Sequence, residues 1–444
     1  VSEELIIDIY NAFNPSEPLP AGSPYYVECG AVRGNEDIFR ELGRKILRSR
    51  ESTCQLYTGH RGVGKSTELQ RLKHYLEEKG CLVVYFSADD EDIDPEDTQY
   101  TDILLASTRH LIEDLEDQAN PHLLLKWLES RWKALKGLAL SEVEFDKLDL
   151  QSQIAQFGKL TASLRAVPST RETIRKQVNA HTPTLIEALN EFIEEGKKKL
   201  SQNQSQSKLV VIVDGLDRIA PVKREDGKTN HEEIFIDRCE QLKALQCHVI
   251  YTVPISLVYY DRATDMLENY GNPPILPMIQ IRDRAGNINP QGLEKIKELI
   301  VKRVTPFSGK LSIEEEIFDS AQTIALMCKM SGGHPRELMR FMQIALDWTD
   351  QLPIREQAVQ RAIAESRKIY RNAVDKEEWH KLAQVHHLKR IKHDNEHRSL
   401  LFRRCVLEYC DLTQKEETER WHDVHPLILN IPEFQQAFNN LPES

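Results

Sequence analysis

The chain has 444 residues, 40% of them hydrophobic and 29% charged, with a formal net charge of −12. This is the composition of a globular protein with room for about two to four domains. No apolar run is long enough to cross a bilayer, and the acidic balance argues against a wholesale nucleic-acid coat while leaving room for one local basic face. No basic segment followed by an apolar stretch opens the chain, so no secretion signal is expected. The eight cysteines, at 29, 54, 81, 239, 247, 328, 405 and 410, show no C-x-x-C spacing. Reduced, buried thiols in a cytoplasmic protein fit that scatter better than disulfides or a zinc site.

In chain order, residues 1–13 carry Leu5, Ile6, Ile7 and Ile9 and read as a short helix, followed by a Pro-rich extended lead-in. Residues 32–42, beginning Val32-Arg33-Gly34, open a helix. A short apolar strand is expected at 54–58. It runs into Gly59-His60-Arg61-Gly62-Val63-Gly64-Lys65-Ser66, a full G-x-x-x-x-G-K-S sequence, then Thr67 and a helix that stops at Gly80. Strand, glycine loop and helix in this order make a phosphate-binding loop. Glycines let successive peptide N–H groups turn inward toward phosphate oxygens, and the helix adds its positive end. Lys65 would reach the β- and γ-phosphates, and the Ser66 hydroxyl would ligate Mg²⁺.

Residues 81–87 form the next expected strand. The acidic stretch 89–97 reads as a solvated loop rather than a metal site. Residues 101–200 read as helical, with Leu104, Leu105, Leu111, Ile112 and Leu115 on one face, and a polar loop at 201–207 ends them. Leu209-Val-Val-Ile-Val-Asp214 is a continuous apolar run, the pattern of a strand buried on both faces of a parallel sheet, closed by a carboxylate at its C-terminal edge. Asp214 is placed there to hold Mg²⁺ through its waters. Asp217 either orients and deprotonates the attacking water or serves as a turn or capping residue. A further strand at 248–252 ends in Thr252, which, ahead of Ser256, either senses the γ-phosphate or is an ordinary strand-end threonine. One more short strand is expected at 274–281.

From 290 the period turns helical, with helices at about 291–304, 312–330, 334–349 and 354–371. Between the second and third lies Ser331-Gly332-Gly333-His334-Pro335-Arg336, a cap that ends one helix and starts the next. In the tail, a helix at 375–389 is followed by a strand at 399–411, a charged turn at 413–419 and a second strand from Trp421, an order that suggests a winged helix. His386 to His393 with Arg403 and Arg404 form a basic cluster. It either contacts phosphates of DNA or is a solvated or docking face.

Together these stretches resemble a P-loop ATPase of the AAA+/STAND group. Asp214-Gly-Leu-Asp217 is similar to the Walker B of NACHT-type STAND ATPases, and Gly333-His334-Pro335 to their Gly-x-Pro lid motif. A winged helix after the lid is shared with origin-recognition-complex initiators. The resemblance implies an α/β P-loop core with a parallel sheet at 25–285, after a lead-in at 1–24 and with a helical insertion at about 101–200. A helical lid at 286–371 and a winged-helix-like α+β domain at 372–444 would follow. It implies ATP or ADP with Mg²⁺ as ligands, Val32 and Arg33 against the base unless this is a plain capped helix, Pro335 at the nucleotide and Arg336 as the lid's phosphate sensor. Arg262 would be the arginine that completes a neighbouring subunit's site. The family usually carries Asp-Glu where this chain has Asp214-Gly215, so hydrolysis is expected to be slow, with Asp217 substituting. The implied function is an ATP-dependent switch, in bacterial defence or signalling, that acts on a protein partner or on self-assembly. The alternatives are a DNA-binding AAA+ loader or transposition-type regulator, and a module that holds nucleotide without cleaving it.

Overall fold

A computed structural model describes residues 3–34, 38–136, 143–203, 208–225, 227–411 and 419–442. Two compact units share the chain: Phe39–Thr58 with Leu72–Pro274, and Val1–Ile38 with Gly59–Arg71 and Ile275–Ser444.

The first unit is built on β1 (Cys54–Gly59), β2 (Leu82–Ser87), β3 (Leu209–Asp214) and β4 (His248–Val253). β1 pairs with β4, β4 with β3 and β3 with β2, all in parallel. Within this unit the strand order is β2-β3-β4-β1, and the Thr58 N–H donates to Pro274 O at the β1 edge, just before β5 (Ile275–Leu276) opens the later part of the second unit. Every residue of β3 is buried, as its unbroken apolar run predicts. The register sets Ser87 beside Asp214 and Tyr57 beside Thr252, so the strands deliver their last residues to one edge. The helical stretch contains Tyr100–Leu115, His122–Glu129, Leu150–Ala166, Pro168–Ala180 and Thr182–Asn203. Its expected apolar face, Leu104, Leu105, Leu111, Ile112 and Leu115, is buried, and so are Leu185, Leu189, Phe192 and Ile193 of the last helix, with Ile186 partly buried.

The acidic stretch after β2 departs from the expectation of a solvated loop. It starts as a helical turn, Ala88–Glu91, and buries Asp89 and Asp92, while Asp90, Glu91, Glu96 and Asp97 stay exposed as expected. Asp92 is fully buried between Arg109 (2.9 Å) and His110 (2.9 Å). Arg171 bridges Asp94 and Asp97, while Arg175 reaches Asp97 (2.8 Å) and Asp102 (2.5 Å). The cations that neutralise the stretch come from helices far along the chain, so local sequence shows only the acids.

The second unit holds the helix Glu3–Ala12, the turn Gly30–Arg33 and a helical lid of Pro290–Ser308, Ala321–Met330, Pro335–Asp347 and Glu356–Asn372. Two local expectations change here. The helix expected to open at Val32 ends at Gly34, and a separate one spans Ile38–Arg48. The expected strand 274–281 shortens to β5, because the N–H groups of Met278, Ile279 and Gln280 donate to Glu408 O, Gly333 O and Val32 O.

The tail is a winged-helix-like α+β module: helices Glu378–Leu388 and Asn395–Phe402, an antiparallel ribbon of β6 (Val406–Cys410) and β7 (Arg420–Val424), and short helices Pro426–Leu429 and Pro432–Asn439. Residues 399–402, expected in a strand, belong to the second helix instead. The Asp394 side chain caps that helix by accepting from the N–H groups of Glu396 and His397. Part of the basic cluster is spent internally: His386 (2.6 Å) and Lys389 (2.8 Å) pair with Asp423, and Arg403 pairs with Glu378. Residues 413–418 of the turn expected at 413–419, 204–207 of the polar loop, 137–142 of the helical stretch and residues 35–37 lie outside the described residues. All eight cysteines are free and seven are buried. No helix among the described residues is long and apolar enough to cross a membrane.

Arg175→Ala would leave the Asp102 carboxylate buried without its guanidinium. Breaking a buried pair from one side costs about 3–5 kcal/mol. Urea unfolding of the variant should show a loss of this size, and a loss below about 1 kcal/mol, the range of exposed pairs, would contradict the pair's structural role.

Candidate functional site

The glycine loop between β1 and the helix Lys65–Glu78 belongs to the second unit. Gly62 and Gly64 take positive φ (82° and 112°) on either side of Val63. A backbone that alternates in this way gathers peptide N–H groups toward one concavity, a shape that suits an anion. Gly62 also has no room for a side chain, because a Cβ there would lie 2.6 Å from Arg336 Cβ and 2.8 Å from His334 Cε1.

The carbonyls of this loop point away from the concavity, and each finds a donor. Lys65 Nζ donates to Gly59 O (2.8 Å) and His60 O (2.9 Å). His334 Nε2 donates to Arg61 O (2.7 Å), and the Arg336 N–H donates to Gly62 O (3.3 Å). Arg33 Nη2 donates to Val63 O (2.8 Å), and the Glu68 N–H to Gly64 O (3.1 Å). The tautomer of His334 follows from its other nitrogen: Nδ1 accepts the Glu337 N–H at 3.0 Å, so Nε2 carries the proton. Three of the six carbonyls are therefore held by residues outside the loop and its helix.

Several of the residues named from the sequence belong to this unit. Val32 is buried, and its carbonyl accepts the Gln280 N–H (2.9 Å). Arg33 is buried, with its guanidinium on Val63 O and Pro277 O. The His60 ring is buried and its Nε2 accepts the Glu408 N–H of β6 (3.0 Å). Ser66 sits in the first helical turn, and Thr67 Oγ1 accepts the Leu19 N–H (3.2 Å). Pro335 is the first residue of its helix, and Arg336 Nε donates to Pro15 O (3.1 Å).

The remaining residues lie in the first unit. Asp214, 2% exposed, accepts from Tyr85 Oη (2.8 Å) and from the Gly215 N–H (2.8 Å). Asp217 sits in the single turn Leu216–Arg218 and is 7% exposed. Thr252 Oγ1, fully buried, accepts the Leu216 N–H (3.2 Å), so it joins β4 to the turn after β3. Ser256 is buried nearby in the chain. Arg262 pairs with Asp237 (2.6 Å) and Asp265 (2.8 Å) at the surface.

Sequence reading missed the working partners Tyr85 and Glu408, and named His334 only as the middle of the Gly333-His334-Pro335 triplet, without its bond to the loop. Glu408 contributes a backbone N–H and leaves no signal in its residue type.

Burial decides the protonation of the histidines beside the loop. It drives His60 down to about 3, against an opposing pull from Glu408, and His425 down to about 3. His334 is likewise held well below the ordinary value by burial, with Arg404 next in effect. The imidazoles are neutral, so the positive charge at the loop comes from Lys65, Arg61 and Arg33 together with the start of a 14-residue helix. A phosphate group fits this donor set.

A family model described as AAA ATPase domain matches residues 32–225. No curated protein sequence matches the chain. Solved structures with a similar fold include the ORC2 protein of Aeropyrum pernix in its ADPNP–ADP complexes, at 11% identity over 97% of this chain and 96% of that one, with a TM-score of 0.42. A Walker-type ATPase of Pyrococcus abyssi is similar at 14% identity over 96% and 99% of the two chains, with a TM-score of 0.40. Cdc6p of Pyrobaculum aerophilum is similar at 12% identity over 97% of each chain, with a TM-score of 0.39.

The buried histidines predict acid lability. Their folded-state pKa values lie below the unfolded value of about 6.5, so the unfolded chain binds more protons and stability falls as pH drops from about 6.5 toward 3. The loss is at most about 1.4 kcal/mol per histidine per pH unit. Urea midpoints should be lower at pH 5.5 than at pH 7.5, and equal midpoints would contradict neutral burial.

Proposed function

We propose that the chain binds ATP and Mg²⁺ at the glycine loop and works as a nucleotide-driven switch with slow ATP hydrolysis. One observation carries this reading. The loop that would hold the phosphates is hydrogen-bonded to the first residues of a lid helix, through His334 on Arg61 O and Arg336 N–H on Gly62 O. A change of shape in the loop would be felt by the lid at once. The match of residues 32–225 to an AAA ATPase domain supports the choice of nucleotide.

The residue roles follow from chemistry. Bound ATP with its metal supplies the phosphoanhydride that is cleaved. Lys65 and the N–H groups of the loop bind its phosphates. Ser66 and Asp214 serve as metal ligands, with Tyr85 fixing one Asp214 oxygen. Asp217 orients water and accepts its proton, while Gly215 stands where a glutamate would give faster turnover. Thr252 holds the turn that carries Asp217. Arg336 reads the phosphate state for the lid, and Arg262 serves a neighbouring copy if the chain self-associates.

A second reading, nucleotide-dependent DNA binding, is favoured by the tail. The end of its first helix and the turn that follows expose His387, Arg390, Lys392 and His393 ahead of an antiparallel ribbon, the order of a winged helix. DNA bound this way should be released by salt with a log–log slope of about −0.9 per phosphate contacted. Salt-independent or absent binding at low ionic strength removes this reading.

Titration calorimetry tests the first. Lys65→Ala should abolish ATP binding, and Asp214→Ala should remove its Mg²⁺ dependence. Asp217→Asn should keep ATP and lose about 10²–10⁴-fold in turnover. Unchanged ATP affinity in Lys65→Ala would defeat the reading.

A further inference from the structure

Asp89 stands apart from the other carboxylates that follow β2. Asp92, Asp94 and Asp97 pair with side chains of the helices, whereas Asp89 turns to the end of β3 and is 7% exposed. Its Oδ2 pairs with the Arg218 guanidinium, and its Oδ1 accepts the Ser87 hydroxyl at 2.8 Å. The same oxygen lies where a side chain on residue 215 would go, since a Cβ there would be 1.9 Å from it. Gly215 also takes a φ of 83°, so the position tolerates only glycine for two independent reasons. A few residues on, Pro95 O accepts the Ala220 N–H at 2.8 Å. The segment after β2 thus grips the turn 215–220 at both ends, and Asp217 sits between the grips.

We propose that Asp89 is a positioning residue for Asp217: by pairing with Arg218 and abutting Gly215 it fixes the turn that presents the Asp217 carboxylate. The proposal rests on the reading of Asp217 as the group that acts on water. The electrostatics agree with it. Burial works against the Arg218 charge, and Asp89, then Asp217 and Asp214, raise its pKa above the ordinary value. Asp89 is the strongest of the three carboxylates, which is the order the proposal needs. The same segment carries Asp94, Asp97 and Asp102, held by Arg171 and Arg175 of the helix Pro168–Ala180. The turn after β3 is thereby joined to the helical stretch by charge pairs.

The test compares ATP affinity and turnover in the full chain and in Asp217→Asn, Asp89→Asn, Arg218→Gln, Arg218→Lys and the double variant Asp89→Asn/Arg218→Gln. Asp89→Asn keeps the shape and removes the charge. It should hold ATP within about twofold and lose about tenfold to a hundredfold in turnover, the worth of one charge-assisted hydrogen bond. Arg218→Lys should retain more turnover than Arg218→Gln, and the double variant should be no worse than the poorer single one. Should Asp89→Asn fail to fold, Arg218→Gln, on the more exposed partner, decides the matter alone. Parental turnover in Asp89→Asn and Arg218→Gln, with Asp217→Asn inactive, overturns this proposal only. Additive losses in the double variant, or ATP affinity falling in step with turnover, overturn it as well, because they signal unrelated structural damage. A parent without turnover, or Asp217→Asn at the parental rate, overturns the reading of Asp217 and this proposal with it.

Discussion

A glycine loop that gathers its N–H groups around an anion must send its carbonyls the other way, and each of those needs a donor. That constraint organises the second unit. Lys65 and Glu68 satisfy the carbonyls at the two ends of the loop. The middle three depend on Arg61 O meeting His334, Gly62 O meeting the Arg336 N–H, and Val63 O meeting Arg33. A lid helix must therefore start against the loop, and the loop must be bare enough to admit it, which is why no Cβ fits at Gly62. The Gly333-His334-Pro335 triplet is the lid's half of the bargain: the glycine turns the chain, the histidine donates, and the proline starts the helix without needing an N–H partner.

The same bonds give the unit a route for a switch. His60 accepts the Glu408 N–H, while Glu408 O accepts the Met278 N–H, so one residue of β6 is held by both of its backbone groups. Tyr409 Oη donates to Gly332 O at 2.7 Å, which ties the ribbon to the lid's turn as well. Loop, lid and ribbon share one set of hydrogen bonds. A ligand that favours one arrangement of the loop shifts the other two elements by its difference in affinity between the arrangements, and no further. A preference worth one charge-assisted bond amounts to about tenfold to a hundredfold.

What could be read from the sequence follows from how local each cause is. The strand–loop–helix run around Gly59 to Ser66 and the apolar run ending in Asp214 are contiguous, and both stand where expected. The faces of the helical stretch were visible because helical spacing is also local. Causes from distant residues were hidden. The acids after β2 looked solvated because Arg109, Arg171 and Arg175 come from other helices. Residues 399–402 looked like strand because Leu400, Leu401 and Phe402 are apolar in a row, yet the Asp394 cap makes them helical. Arg33 could be named as part of a nucleotide site, but its bonds to Val63 O and Pro277 O depend on a chain turn that no local pattern announces.

Hydrogen exchange with ATP and with ADP tests most directly whether loop and lid move as one. Peptides covering 59–64, 331–345, 405–411 and 420–425 should change protection together between the two nucleotides, and Arg336→Ala should leave ATP bound while removing the difference beyond the loop. Protection that changes in 59–64 alone, with lid and ribbon identical under both nucleotides, would contradict the switch and leave a static nucleotide-holding module.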